Sequence, residues 1–258
     1  MTEDQVTYRV ENRIAYITLN RPEALNAVDA PMHQHLLAVL RRFDLDDEAW
    51  VAILSGEGRS FCAGADIKRR MHESTEQERL LTWSLTPPEG FLGRCVNWKP
   101  VIAAVHGHCL GLALRLVMQC EAIVATEDAL FGATETLMGL PGSTVWSGLQ
   151  CFMPSKVATE MLLTGESQPA EVLYRMGMIN RLVPSGTHLD SAADLAHRFM
   201  KAPPLTVRAN VRITRMLSVQ LAEQALLYTT PLRLHMTQDF AEAARAFVEK
   251  RSPEFQAR

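Results

Sequence analysis

The sequence predicts an α/β fold in which a mostly parallel sheet is followed by a helical C-terminal region. Two observations support this prediction. Short β-rich runs alternate with segments of helical periodicity, which is typical of parallel α/β architectures. The composition then changes at Lys201-Ala202-Pro203-Pro204, beyond which the pattern is almost wholly helical. Hydrophobic residues make up 47% of the 258-residue chain, so a sizeable core is expected.

Five short runs have the composition of buried strands, because each is rich in apolar residues and ends at turn-forming or charged residues. These runs are 14–19, 51–55, 101–105, 122–125 and 179–183. Helical spacing of apolar residues predicts helices between them, among others at 30–43, where Pro31 suits a first turn, and at 156–163.

The two prolines at 203 and 204 are expected to end a helix that begins near Leu189. Beyond them, helices are predicted at 205–219, 222–229 and 236–251. The polar segment 71–89 ends in Thr86-Pro87-Pro88 and is predicted to be a surface stretch of the kind that often borders an active site.

Composition excludes several classes of protein. The net charge of -3 argues against a nucleic-acid-binding protein, although a local basic patch for phosphates stays possible. Five cysteines without C-x-x-C spacing disfavour a disulfide framework or a zinc site and favour a reducing compartment. The polar N-terminal stretch lacks a signal-peptide core, and no run approaches the ~18 apolar residues of a membrane span. We therefore expect a cytoplasmic protein without a membrane partner.

Several separated segments match one family pattern in order. They are NRPEALNA at 20–27, SFCAGADIK at 60–68, KPVIAAVHGHCLG at 99–111, the segment 131–142 that ends in GLPG, and AFVEKR at 246–251. Together they resemble the enoyl-CoA hydratase/isomerase (crotonase) superfamily. The resemblance implies a spiral core of ββα units at 1–200 and a helical trimerisation region at 201–258, in a homotrimer or a dimer of trimers. It also implies an acyl-CoA substrate, with coenzyme A present only as part of the thioester and no separate cofactor.

The resemblance assigns the groups that would stabilise negative charge on the thioester oxygen. The backbone amides of Ala65 and Leu112 correspond to the family's two oxyanion donors, each of which contributes roughly 3–4 kcal/mol in related acyl-transfer sites. Gly64 would let the first turn approach the ligand closely, and Gly111 would start the central helix. This sequence departs from the family at Leu112 and Ala113, where glycines are usual.

Further positions correspond to the family's coenzyme A contacts. These are Glu23, Ala24, Leu25, Ala63, Gly64, Asp66, Ile67, Gly111, Phe247 and Lys250. Glu23 departs from the pattern, because a lysine often stands there and an acid would not favour phosphate binding. Phe247 and Lys250 are expected to reach the ligand of a neighbouring subunit or, alternatively, to belong to a solvated amphipathic helix.

The most informative departure concerns the two glutamates of the family's hydratases. The first position is Arg115, which cannot act as a base because it stays protonated, and the second is Glu135. One carboxylate is enough to move a proton between carbons, which favours a double-bond isomerase or a related proton shuttle. A hydratase that uses Glu135 alone and a non-catalytic CoA-binding or interaction protein remain as alternatives.

Arg115 itself has three possible roles. It could lower the pKa of Glu135, bind a second carboxylate on the substrate, or form a structural ion pair with Glu135. Ser143 stands near the position of a family dehalogenase's nucleophilic aspartate, and its lack of charge disfavours that reaction; a turn residue is the expectation there. Trp146 and Met138 are expected in the acyl pocket or the core. His106 and His108 have no third ligand nearby in sequence, so no metal is expected.

Overall fold

The computed structural model describes residues 4–67, 91–92 and 98–258, so the polar segment 71–89 lies outside the described residues. A six-stranded sheet forms the centre of the fold. In spatial order its strands are β1 (Val6–Glu11), β2 (Ile14–Leu19), β3 (Val51–Gly56), β4 (Val101–Val105), β6 (Ala122–Thr126) and β9 (Arg181–Val183). A second, three-stranded sheet contains β5 (His108–Leu110), β7 (Leu130–Gly132) and β8 (Ser167–Pro169).

Pairing in the large sheet is parallel except at its first edge. β1 runs antiparallel to β2 with Val6 opposite Leu19, whereas β2, β3, β4, β6 and β9 pair in parallel. The predicted α/β class and mostly parallel pairing are confirmed. The last strand begins at Arg181 rather than at the predicted residue 179, because Asn180 is held by a side-chain bond, its Oδ1 accepting the Ile123 N–H at 2.8 Å.

The side chains of alternate residues in the central strands are buried on opposite faces of the sheet. Ala52, Leu54 and Ala103 join the larger core, whereas Ile53 and Ile102 join a smaller core. Side chains of successive strand residues point to opposite faces, so a strand that is covered on both sides reads as a continuous apolar run. This explains why the runs at 51–55 and 101–105 contain almost no polar residue.

Helices cover both faces of the sheet and connect its strands. They are α1 (Ala30–Leu45), α2 (Leu112–Met118), α3 (Ser143–Phe152), α4 (Ser155–Thr164), α5 (Ala170–Arg175), α6 (His188–Phe199), α7 (Pro204–Thr229) and α8 (Gln238–Glu249). The start of α1 matches the prediction: Pro31 lies in its first turn, and the Asp29 carboxylate caps the helix by accepting the Met32 N–H at 2.8 Å.

The C-terminal region is helical, as predicted, but α7 is one continuous helix where two were expected. Gln220 and Leu221, which lie between the two predicted helices, are both good helix formers, so the backbone hydrogen bonds of the helix continue through them. Arg215 fixes α7 to the core through a buried ion pair with Glu121 at 2.8 Å. The C-terminal half of α7 packs on α3, which brings it to the site described below. No helix of the described ranges has both the length and the apolar character of a membrane span.

Candidate active site

A cavity of about 630 Å³ lies between the strand ends, α2, α3 and the C-terminal region. Its size is within the range of sites that bind small molecules and cofactors. The described part of its lining comes from segments after β2, β3 and β7, from β5 and the turn after it, from the starts of α2 and α3, and from the C-terminal region near the ends of α7 and α8. Most of this lining is apolar, with a few polar groups that include Glu135, Arg115 and Ser143.

Gly64 and Ala65 form one wall of the cavity. The turn is fixed by the loop after β2, since the Val28 N–H donates to Gly64 O at 2.7 Å and the Asp66 N–H donates to Val28 O at 3.0 Å. Because both of these bonds flank Ala65 on the same side, its own N–H points away from Val28 and has no acceptor among the described residues. Ala65 therefore offers a free donor to the cavity that it lines.

Leu112 supplies a second open donor on the same wall. It is the first residue of α2, and the N–H groups of a helix's first turn have no partner within the helix. Gly64 explains how the two turns come close: it has φ +95, and a Cβ on it would lie 2.7 Å from Leu110 O and 3.7 Å from the Leu112 nitrogen. Only glycine fits this approach, so the Ala65 and Leu112 turns lie side by side.

Glu135 lines the same cavity beside the turn that starts α2, and its carboxyl oxygen Oε2 is buried. Its Oε1 faces Gly111, on which a Cβ would lie only 3.2 Å away, and its Oε2 is buried without a hydrogen-bond partner in the described structure. Removal from water raises the pKa of Glu135 to about 7, against the opposing charge of Arg115. Arg115 lowers the pKa of Glu135, as expected, but desolvation has the larger effect, so the net shift of the pKa is upward.

Arg115 lies in the second turn of α2 and is nearly fully buried at the cavity wall. The positive charge of Arg115 stabilises the ionised form of Glu135. No direct ion pair joins these two described side chains, and Glu135 Oε2 has no hydrogen-bond partner in the described structure. The structural ion pair that the sequence left open is thus absent between these two side chains.

Comparison with known proteins decides the family. A family profile described as Enoyl-CoA hydratase/isomerase matches residues 9–258. The chain belongs to the enoyl-CoA hydratase/isomerase family. It is 35% identical to an (E)-benzylidenesuccinyl-CoA hydratase from Thauera aromatica, over 97% of this chain and 98% of the relative. It is 32% identical to a 2,3-dehydroadipyl-CoA hydratase from Escherichia coli (strain K12), over 96% and 97% of the two chains.

Solved structures of the enoyl-CoA hydratase/isomerase family share the whole fold. A crystal structure of a carnitinyl-CoA hydratase from Mycobacterium avium superposes with a TM-score of 0.85 at 31% identity and covers 100% of both chains. The EchA1_1 structure from Mycobacterium paratuberculosis superposes with a TM-score of 0.83 at 32% identity over 99% of both chains. The predicted crotonase-like fold is confirmed, whereas the trimer that the family resemblance implied stays a prediction.

The structure brings most of the site residues predicted from the family pattern to this cavity. Those that line it are Leu25, Ala63, Gly64, Ala65, Ile67, Gly111, Leu112, Arg115, Glu135 and Phe247. Glu23, Ala24, Asp66 and Lys250 are not among its lining residues. Asp66 instead pairs with Arg21 at 3.3 Å, and Glu23 is exposed. The coenzyme A contacts assigned to these four residues remain predictions from the family pattern.

Phe247 contributes to the cavity from the C-terminal helix α8. It lines the cavity of its own chain, because α8 folds back over the site after the turn at 230–236. Met138 also lines the cavity, whereas Trp146 is absent from the lining described here. The Phe247 side chain is half exposed at 53%, so its expected contact with the ligand of a neighbouring subunit and its alternative place on a solvated amphipathic helix both stay predictions.

Sequence reasoning missed the polar groups that α3 and α7 bring to the cavity. Ser143 was expected in a turn but is the buried first residue of α3, and its hydroxyl lies 2.7 Å from that of Thr229 at the end of α7. Arg233 and His235 also line the cavity. No local motif marks a contact between residues 86 positions apart, so only the fold could reveal it.

Proposed function

We propose that the protein adds water to an enoyl-CoA thioester, with the Ala65 and Leu112 amides binding the thioester oxygen and Glu135 as the single proton carrier. The observation that carries the proposal is the buried Glu135 carboxyl group, whose Oε2 has no partner in the described structure. It lies in the cavity that the two open amides line. The names of the hydratase relatives favour water addition over isomerisation.

The proposed chemistry begins with the ionised Glu135. A carboxylate with a pKa of about 7 is a far better base than an exposed glutamate and is still half ionised at neutral pH. Glu135 takes one proton from water as the water oxygen bonds to Cβ of the substrate. The π electrons move to the thioester oxygen, where the Ala65 and Leu112 N–H groups stabilise the enolate. Glu135 then gives the proton to Cα, which restores the carboxylate.

The same groups could shift a double bond without water. Glu135 would remove a proton at one carbon and return it at another, and the same amides would hold the dienolate. The observation that favours this second candidate is the replacement of the family's first glutamate by Arg115, since a positive charge cannot accept a proton from water. The two reactions differ in whether oxygen enters the product.

The test is turnover of a panel of straight and branched enoyl-CoA thioesters in water that carries an oxygen isotope label. We expect labelled 3-hydroxyacyl-CoA from the wild type and a loss of about 100-fold or more for Glu135→Gln, since general acid–base groups contribute roughly that much. Glu166→Gln is the matched control, because Glu166 is an exposed glutamate outside the cavity. An unlabelled product with a moved double bond would favour the isomerase, and binding without any turnover would favour a non-catalytic protein.

The homotrimer that the family resemblance implies is part of the proposal. Exposed apolar side chains along the C-terminal region support it, namely Leu205, Ile213, Leu217, Leu227 and Tyr228. Exposed apolar surface of this kind usually marks an interface between proteins. Light scattering on the purified protein should give the mass of three or six chains, and a monomer would contradict this part.

A further inference from the structure

The contacts of Thr229 favour one direction of proton donation in the Ser143–Thr229 hydroxyl pair. Thr229 Oγ1 lies 2.7 Å from Ser143 Oγ and 3.1 Å from the Ala225 carbonyl oxygen. A carbonyl only accepts, and each hydroxyl has one proton. Both contacts are hydrogen bonds at once only if Thr229 donates to Ala225 and Ser143 donates to Thr229. The oxygen of Ser143 is then left with lone pairs only.

Ser143 lies near Glu135 in the wall of the cavity. Both residues line the cavity, and Gly142, which directly precedes Ser143, is so close to Glu135 that a Cβ on it would lie 3.6 Å from Glu135 Cβ. The Ser143 hydroxyl has no second partner among the described residues. The buried Oε2 of Glu135 also lacks one. Two residues with an acceptor oxygen that lacks a donor in the described structure thus line the same cavity.

We propose that Ser143 is a catalytic residue that holds the attacking water, and that Thr229 is the positioning residue that keeps the Ser143 proton away from it. A water molecule has two protons. One goes to the Glu135 carboxylate as the C–O bond forms, and the other donates to Ser143 Oγ and stays on the oxygen as the product hydroxyl. Ser143 Oγ is thus the second hydrogen-bond acceptor for the water molecule. The family's first glutamate would provide such an acceptor, and Arg115, which stands at that position, cannot. The inference rests on the proposed hydration.

The test separates the step that needs water from the step that needs only the base. Hydration of crotonyl-CoA is measured beside the exchange of the α-protons of butyryl-CoA in heavy water, which requires Glu135 and the two amides but no bound water. For Ser143→Ala we expect kcat for hydration to fall about tenfold or more, as a lost hydrogen bond predicts, with KM and exchange rate unchanged.

Two variants of Thr229 test the direction of the bond. Thr229→Val keeps the shape but removes the acceptor, so the Ser143 proton can turn towards the cavity and hydration should again fall about tenfold with exchange intact. Thr229→Ser keeps a hydroxyl and should restore hydration. Ser147→Ala is the matched control on the same helix, because the Ser147 hydroxyl donates to Thr144 O at 3.0 Å and does not line the cavity.

The outcomes separate this inference from the proposed function. If the wild type catalyses both reactions and Ser143→Ala hydrates at the wild-type rate, the role of Ser143 is overturned while the proposed function stands. An equal loss of hydration and exchange in both Ser143→Ala and Thr229→Val would also overturn it, since that pattern indicates a structural role. If the wild type catalyses neither reaction, the proposed function fails, and the inference fails with it. Should Ser143→Ala not fold, Thr229→Val alone decides.

Discussion

Gly111 and Glu135 are close neighbours in the cavity wall, since a Cβ on Gly111 would lie 3.2 Å from Glu135 Oε1 and 3.1 Å from Thr134 Oγ1. Gly111 has φ +53, which other residues rarely adopt. The glycine therefore lets the carboxyl group approach the turn that starts α2. The close contact ties the position of the proton carrier to that of the oxyanion donor Leu112.

Gly111→Ala should displace the Glu135 carboxyl group and lower kcat by about tenfold or more, since a misplacement of ~1 Å can reduce rates by ~100-fold. Gly177→Ala is the matched control: it has a similar positive φ of +85 but no neighbour within 4 Å of an added Cβ. Both variants should lose about 1 kcal/mol or more of stability from backbone strain, and only Gly111→Ala should lose activity. Equal activity of the two variants would contradict the described contact.

Leu112→Pro removes one N–H donor without removing a helical bond, because proline is tolerated at the first position of a helix. We expect kcat to fall by ~100- to 1,000-fold, as found when one oxyanion donor is lost elsewhere. Leu112→Ala keeps the amide and should retain most of the activity. Steady-state kinetics on both variants, with thioester affinity measured in parallel, checks this. A Leu112→Pro enzyme with normal kcat would exclude that amide as a donor.

The pH dependence of α-proton exchange should report the raised pKa of Glu135. Exchange needs the ionised carboxylate, so its rate should be half-maximal near pH 7 and should fall about tenfold per pH unit below that. An exposed glutamate would give a profile that stays flat down to pH ~5. Exchange of butyryl-CoA in heavy water, followed by mass spectrometry across this pH range, separates the two cases.

Glu135 should also make the folded protein less stable as the pH rises. Its pKa is about 7 when folded, against an ordinary value of 4.5, so the folded state binds more protons between these values. The stability of the wild type relative to Glu135→Gln should therefore fall from pH 4.5 to pH 7, by at most ~3 kcal/mol. Denaturant unfolding of both proteins at equal concentration measures the difference. A constant difference over this window would contradict a buried, desolvated carboxyl group.

The sequence was informative wherever a signal is local. The central strands show as apolar runs because both sheet faces are covered, and the start of α1 shows as Asp29 followed by Pro31. The turns around Gly64 and Gly111 follow from glycine's freedom at positive φ. The site residues themselves were predicted from the family resemblance, and most of them line one cavity.

What the sequence could not reveal depends on distant contacts. The net pKa shift of Glu135 is set by how much of the fold excludes water from it, and this outweighs the charge of Arg115 that the sequence made visible. The pairing of Ser143 with Thr229 depends on where α7 ends after a 26-residue helix. Likewise, the entry of Phe247 into its own chain's cavity depends on the turn before α8.

The central claim is that Glu135 moves a proton at the α-carbon of a thioester held by two backbone amides. The most direct measurement is α-proton exchange of butyryl-CoA in heavy water by the wild type and by Glu135→Gln, with thioester binding confirmed for both. The account predicts exchange by the wild type and a loss of about 100-fold or more in the variant. Equal exchange by the two proteins, or none by a wild type that binds the thioester, would contradict it.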